Sequence, residues 1–454
     1  MNVKNLLAKT FLIISIIIAV LLFYRSQVQF QGSKDDYYSI YFVFTAILII
    51  ISCWLFFIND EIQKKIITII LSSLIALYPM EGYLMIKEKK DHEYYNSYDL
   101  FEKEGIKYDK RSKLEAFKDL QKQYKNLATS TPPTFFINSE DTFHLSGISN
   151  SPTHYCNENG YFSVYQSDRY GFNNPDKIWD KNIIDYVVIG DSAVNGACVN
   201  YPDTIAGNLS RVSNGNVLNL GMGGSGTLIE YAILREYLPK NIKRVLLFYY
   251  DFDLGNYDEF KSKILLNYFN DNSYSRNLKN KQKQIDAKLR TYVKDLIDKN
   301  DPKMNKNIIP IKNFITLFNT RYYVTSLFKP KNERSVNLDY DIKNIEILIK
   351  KIKHLVEENN AELYFIFLPD SKRYSDKKIH NDYAQMIKEN DNLLNTVKEL
   401  GIKIIDLDEE IFKKVDDPFK YFSLGAKRVA RHNNELGFKI ITDKIFEKIN
   451  EFEN

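Results

Sequence analysis

Cysteine is scarce in this chain: three in 454 residues, at positions 53, 156 and 198, with no C-x-x-C and no Cys/His cluster. A zinc site draws its ligands from closely spaced Cys and His, so neither a metal nor any other cofactor is expected. A strong charge of one sign is also missing. Lys plus Arg number 62 against 58 Asp plus Glu, a net charge of +4, which excludes the concentrated basic field of a nucleic-acid binder. Lysine, asparagine and isoleucine are spread along the whole chain and read as a general compositional bias. Tryptophan is nearly absent (2), but tyrosine and phenylalanine are abundant (32 and 29). Core and interface packing is the default use of so many rings, and a platform for sugars is the alternative.

Long apolar runs are present, all near the N-terminus. Residues 10–24 follow Lys9, and no small-x-small cleavage pattern comes after them. Runs at 38–58 and 66–86 are each long enough to cross a bilayer, the last with Pro79 and Glu81 near its far end. Three transmembrane helices are expected, with Glu81 near the interface and Cys53 packed as an inert thiol. Lys4, Lys9, Lys64 and Lys65 favour an inside N-terminus, which puts the soluble part outside; Lys87, Lys89 and Lys90 oppose that orientation. Outside the cytosol Cys156 and Cys198 are expected to pair, the alternative being two unrelated buried thiols.

Residues 91–135 read as a linker with helical spacing from Lys113 to Leu127, broken at Ser130-Thr-Pro-Pro133. From 136 to 454 apolar strand-like and helix-like segments alternate. Strands are expected at 184–190, 216–220, 244–251, 362–368 and 403–407, and helices at 202–211, 226–239, 340–359, 378–400 and 435–450. Strands apolar on both faces and separated by helices predict an α/β fold with a central parallel sheet covered on both sides. The polar stretch 257–335 interrupts this rhythm and reads as a solvated insertion, with a substrate-shaping role as the alternative.

Three segments carry candidate chemistry. The first strand ends in Gly190-Asp191-Ser192, a hydroxyl at the carboxyl edge of a parallel sheet, where α/β folds place their chemistry. The second strand runs into Asn219-Leu-Gly221-Met-Gly-Gly-Ser-Gly226. Taken alone, this glycine run also fits a dinucleotide-binding loop with Asp251 downstream, but it follows the second strand rather than opening the domain. The third segment is His432-Asn-Asn-Glu-Leu-Gly437. A serine nucleophile needs a base within hydrogen-bond reach and donors for the oxyanion. Of the six histidines, only His432 lies in a late turn before a helix.

Together these segments resemble the SGNH (GDSL-type) hydrolase superfamily over about 180–450, with the insertion unmatched. The resemblance implies an SGNH-type three-layer α/β fold. It also implies Ser192 as nucleophile, His432 as base and Gly221 as an oxyanion donor, with Asp191 as structural support of the serine loop. Two positions depart from the family pattern. Phe252 stands where an oxyanion asparagine is expected, with Asn256 and Ser225 as substitutes, and Val429 stands where the aspartate that orients the histidine is expected. Asp406, Asp408, Asp416 and Asp417 are the candidates for that role. The implied function is a membrane-anchored esterase or O-acyltransferase acting on small acyl groups of an acylated envelope carbohydrate. A catalytically impaired glycan-binding or assembly module and a lipid esterase are the alternatives.

Overall fold

Along each long strand of the central sheet, alternate residues feed two different cores. Tyr186, Val188, Leu246, Phe248, Tyr364, Ile366 and Leu368 point to one side, and Val187, Ile189, Val245, Leu247, Tyr249, Phe365 and Phe367 to the other. A strand buried on both faces has no polar side, and its sequence shows no alternation. Each such side chain removed from water contributes roughly 1.5–3 kcal/mol.

The computed structural model describes residues 4–29, 32, 35–251, 259–298, 311–328, 338–375 and 377–454. They fall into two units. The larger begins at Asp91 and excludes the stretch around 311–328. It opens with a small sheet of β1 (Ala128–Thr129), β2 (Pro152–His154) and β3 (Val164–Gln166), β1 parallel to β2 and β2 antiparallel to β3. The central sheet follows: β4 (Ile184–Ile189), β5 (Val217–Asn219), β6 (Ile242–Tyr250), β7 (Glu362–Leu368) and β8 (Lys403–Asp406). All its pairings are parallel, in the order β5-β4-β6-β7-β8. Helices 205–213 and 435–453 cover one face, and helices 227–237, 338–358 and 377–399 cover the other. The fold is mixed α/β, three layers around a parallel sheet. From β4 the chain steps to β5 on one side and then to β6 on the other, so the crevice at the carboxyl end of β4 is the switch point where such sheets bind ligands.

Two expectations about this unit need correction. Residues 91–135 are not a free linker. Ser112 and Glu115 form a capping box on helix Lys113–Leu120, and its Leu114 and Phe117 are buried in the larger core. Nor is the first half of the insertion a solvated decoration, because Ile264, Leu265 and Tyr268 of helix Lys263–Asn270 and Ile285 and Leu289 of helix Gln282–Asp298 belong to the same core. Their apolar residues recur at helical spacing among many lysines, and that spacing carries the packing signal.

The smaller unit holds the described residues up to Lys90 together with 311–328. Three of its helices are long and apolar enough to cross a membrane, at Ala8–Gln29, Tyr38–Phe57 and Glu61–Asn96. The hydroxyls of Ser15 and Ser52 meet at 3.2 Å between the first two, and each also bonds a carbonyl one turn back. Cys53 is exposed on its helix rather than packed. Glu81 is not near a helix end: it lies within Asp60–Asn96, fully buried, and accepts the N–H groups of Asn319 and Thr320. It thereby satisfies two of the donors exposed at the start of helix Phe318–Phe328.

Candidate active site

Ser192 is the first residue of a single helical turn, Ser192–Asn195, directly beyond β4. Asp191 caps that turn, its Oδ1 accepting the Ala193 N–H at 2.9 Å. Gly190 lets the chain pass between neighbours, since a Cβ there would stand 2.6 Å from Val194 Cγ2 and 3.0 Å from Phe248 Cβ. The Gly-Asp-Ser sequence thus turns the strand sharply and presents the serine at its tip. Asp191 Oδ2 lies 3.2 Å from Ser192 Oγ.

His432 Nε2 is 2.8 Å from Ser192 Oγ. Its backbone is held on both sides. Its carbonyl accepts the Ser423 N–H, and Asn433 bridges to Phe422. Asn434 caps helix Glu435–Glu453 through the Gly437 N–H, and a Cβ on Gly437 would lie 2.0 Å from the Tyr421 carbonyl oxygen. The asparagine and glycine of His-Asn-Asn-Glu-Leu-Gly fix where the histidine stands.

The group that orients His432 is Glu158, which was not among the candidates read from the sequence. Its Oε1 lies 3.1 Å from His432 Nδ1, and its Oε2 accepts the His432 main-chain N–H at 2.8 Å. With both ring nitrogens engaged by Ser192 and Glu158, none of Asp406, Asp408, Asp416 and Asp417 serves as this partner. Asp406 and Asp417 cap short helical turns, and Asp408 accepts from the Tyr374 hydroxyl and pairs with Lys413. Glu158 sits four residues past β2, and the Cys156–Cys198 disulfide ties its segment to the loop after Ser192. Asn159 adds a hydrogen bond to the Cys198 carbonyl at 3.1 Å. The signal was available in the chain, because a bond from Cys198 to Cys156 carries any carboxylate near Cys156 toward Ser192.

The electrostatics match an ion pair between His432 and Glu158. Burial alone lowers the basicity of His432, but the Glu158, Asp191 and Asp370 carboxylates outweigh it and the imidazole is pushed up to about 9. Burial alone raises Glu158, yet the His432 charge, the His432 hydrogen bonds and the Arg431 charge hold it below the usual glutamate value. Burial raises Asp191 against the Ala193 N–H and His432. Glu158, Cys198 and His432 also approach one another closely enough to suggest a metal-ligand set. The Cys198 sulfur is bonded to Cys156 and offers no thiolate, so the donor set does not fit a metal.

The oxyanion side differs from the sequence reading. The Gly221 N–H is buried and donates to Asn219 Oδ1 at 2.8 Å. Its Cα packs against the turn after Ser192, where a Cβ would meet the Asn195 nitrogen at 2.7 Å. Gly223, two residues on, stands beside the serine: a Cβ there would lie 3.9 Å from Ser192 Cβ and 2.6 Å from the Tyr155 hydroxyl oxygen. Ser225 bonds the Gly190 and Met222 carbonyls through its own hydroxyl. Phe252 and Asn256 lie outside the described residues. The N–H groups of Gly226, Leu228 and Ile229, which a phosphate would need at the start of helix Thr227–Tyr237, are taken by the Glu259 carboxylate, so the glycine run does not fit a dinucleotide loop.

No family model and no curated protein sequence matches the chain. Among solved structures, one described as a lipolytic protein of the G-D-S-L family from Desulfitobacterium hafniense DCB-2 is similar at 15% identity, over 58% of this chain and 98% of its own, with a TM-score of 0.30. A second covers 59% of this chain and 97% of its own at 11% identity and a TM-score of 0.31. At that level of superposition these likenesses decide nothing about activity.

Proposed function

We propose that this chain is a membrane-anchored SGNH-type serine hydrolase or O-acyltransferase acting on small O-acyl groups of an envelope carbohydrate. The observation that carries the reading is the continuous relay from Ser192 Oγ through His432 to Glu158 at 2.8 and 3.1 Å. Ser192 Oγ attacks the ester carbonyl while its proton passes to His432 Nε2, and the carbonyl electron pair moves to oxygen. Glu158 stays ionised and stabilises the imidazolium that forms. Collapse breaks the ester C–O bond, and the departing alkoxide takes the proton from His432. Water, or a second hydroxyl in a transfer reaction, then repeats the sequence on the acyl-serine and restores Ser192.

A carbohydrate is suggested by a groove of the same unit that Asn159 and Asn434 border, close in the chain to Glu158 and His432. About 530 Å³ is lined by Phe101, Phe419, Phe422, Leu100, Ile106 and Leu424 together with Asn159, Lys420 and Glu435. Rings interleaved with hydrogen-bonding groups suit a sugar, and the aliphatic side chains among them suit the acyl group it carries. Against the glycan-binding alternative, Glu158 supplies the carboxylate partner that Val429 cannot. A soluble part outside the cytosol fits a Cys156–Cys198 disulfide, which persists in oxidising compartments. The test is acetate release from O-acetylated polysaccharides by the detergent-solubilised chain. Release that stops in Ser192→Ala is the expected result. An intact chain that releases nothing but still retains the polysaccharide supports the binding module instead.

A further inference from the structure

Resting on that reading, we propose that the Tyr155 hydroxyl is an oxyanion donor of this site, in a role that the Gly221 amide does not fill. Three observations converge. The first is position. The phenol oxygen and Ser192 Cβ flank the same point beside Gly223, at 2.6 and 3.9 Å from where its Cβ would stand. The Tyr155 oxygen therefore faces the space next to the nucleophile, and the absence of a side chain at Gly223 is what leaves it there.

The second is availability. Among the described residues no protein group shares a hydrogen bond with this phenol, although the ring is buried against Tyr165 and near Cys198. By contrast, the Gly221 amide and the Ser225 hydroxyl are both spent inside the loop. A buried tyrosine usually finds a partner for its hydroxyl, and here a substrate oxygen can be that partner. Burial first, then Tyr165, Asp191 and Glu158, push the phenol well above its ordinary range, so it keeps its proton and can donate throughout the working pH range.

The third is support. Tyr155 and Glu158 lie on one short segment, and Cys156 between them is bonded to Cys198 in the loop that follows Ser192. The Tyr155 N–H bonds the Ser163 carbonyl, and the Ser163 N–H bonds the Cys156 carbonyl. The segment so pinned delivers a donor to one side of Ser192 and the carboxylate to the far side of His432. In the reaction the phenol transfers no proton. It donates a hydrogen bond to the carbonyl oxygen as negative charge collects there, and the bond weakens again when the tetrahedral adduct collapses.

The experiment compares wild type, Tyr155→Phe, Gly223→Ala and Ser192→Ala as full-length chains in detergent, on p-nitrophenyl acetate. Tyr155→Phe keeps the ring and removes the donor. Its kcat is expected to fall about 10²–10³-fold, the usual effect of losing one oxyanion donor, with KM little changed and the melting temperature preserved. Gly223→Ala approaches from the other side of the contact: its methyl displaces the phenol oxygen, and a fall in kcat at unchanged KM is expected again. This second variant decides the matter if Tyr155→Phe unfolds early. Wild-type kcat in either folded variant overturns the assignment. A wild type whose turnover matches Ser192→Ala fails at the hydrolase reading itself and takes the assignment with it.

Discussion

At the scale of single residues, the site is a contest between burial and nearby charge, and charge prevails at His432. An imidazole raised to about 9 is protonated at neutral pH, and a general base works only when neutral. The activity of the free enzyme, read as kcat/KM, therefore rises with pH through an ascending limb near 9. Below that limb it falls about tenfold per pH unit. Glu158→Gln removes the chief group that raises His432. The limb then moves toward lower pH, while the plateau drops by about 10⁴, the scale of losing the orienting carboxylate in a serine–histidine relay. A pH profile of kcat/KM for the two proteins checks both statements, and an unmoved limb in Glu158→Gln contradicts the assignment of the acid. Ser192 and His432 were legible as a pair because each sits in a local motif, a strand end and a capped turn. Glu158 was not, since it lies 274 residues from His432 in the chain and reaches it only through the fold.

At the scale of elements, the five central strands were legible to within one or two residues. Their two-sided burial leaves unbroken apolar runs between helical periods. What was not legible is where amphipathic helices dock. Helix Lys113–Leu120 shows helical spacing in sequence, yet nothing local says that Leu114 and Phe117 join the main core. The grouping of residues 311–328 with the membrane helices, through Glu81 and Asn319, is likewise a tertiary fact. A soluble fragment cut at the expected linker boundary should therefore fail. Starting at residue 136 discards both core side chains, each worth roughly 2–5 kcal/mol by truncation, whereas starting at residue 91 keeps them. Thermal melts of the two fragments are expected to show a cooperative transition only for the longer one. Equal melting temperatures would contradict the packing described for this helix.

At the scale of the whole molecule, the chain joins a unit with three membrane-length apolar helices to an α/β unit whose switch-point crevice holds an assembled relay. Each part of that relay comes from a different layer of construction: Ser192 from the turn after a strand, His432 from the turn before the last helix, and Glu158 from the loop between β2 and β3. The disulfide-tied segment brings Glu158 in, so His432 keeps a carboxylate partner with valine at position 429. The measurement that tests this account most directly is fluorophosphonate labelling of the full-length chain in detergent, alongside Ser192→Ala and His432→Ala. The account predicts covalent labelling of the wild type that both substitutions abolish. A folded wild type that takes up no label, or labelling that survives Ser192→Ala, would contradict it.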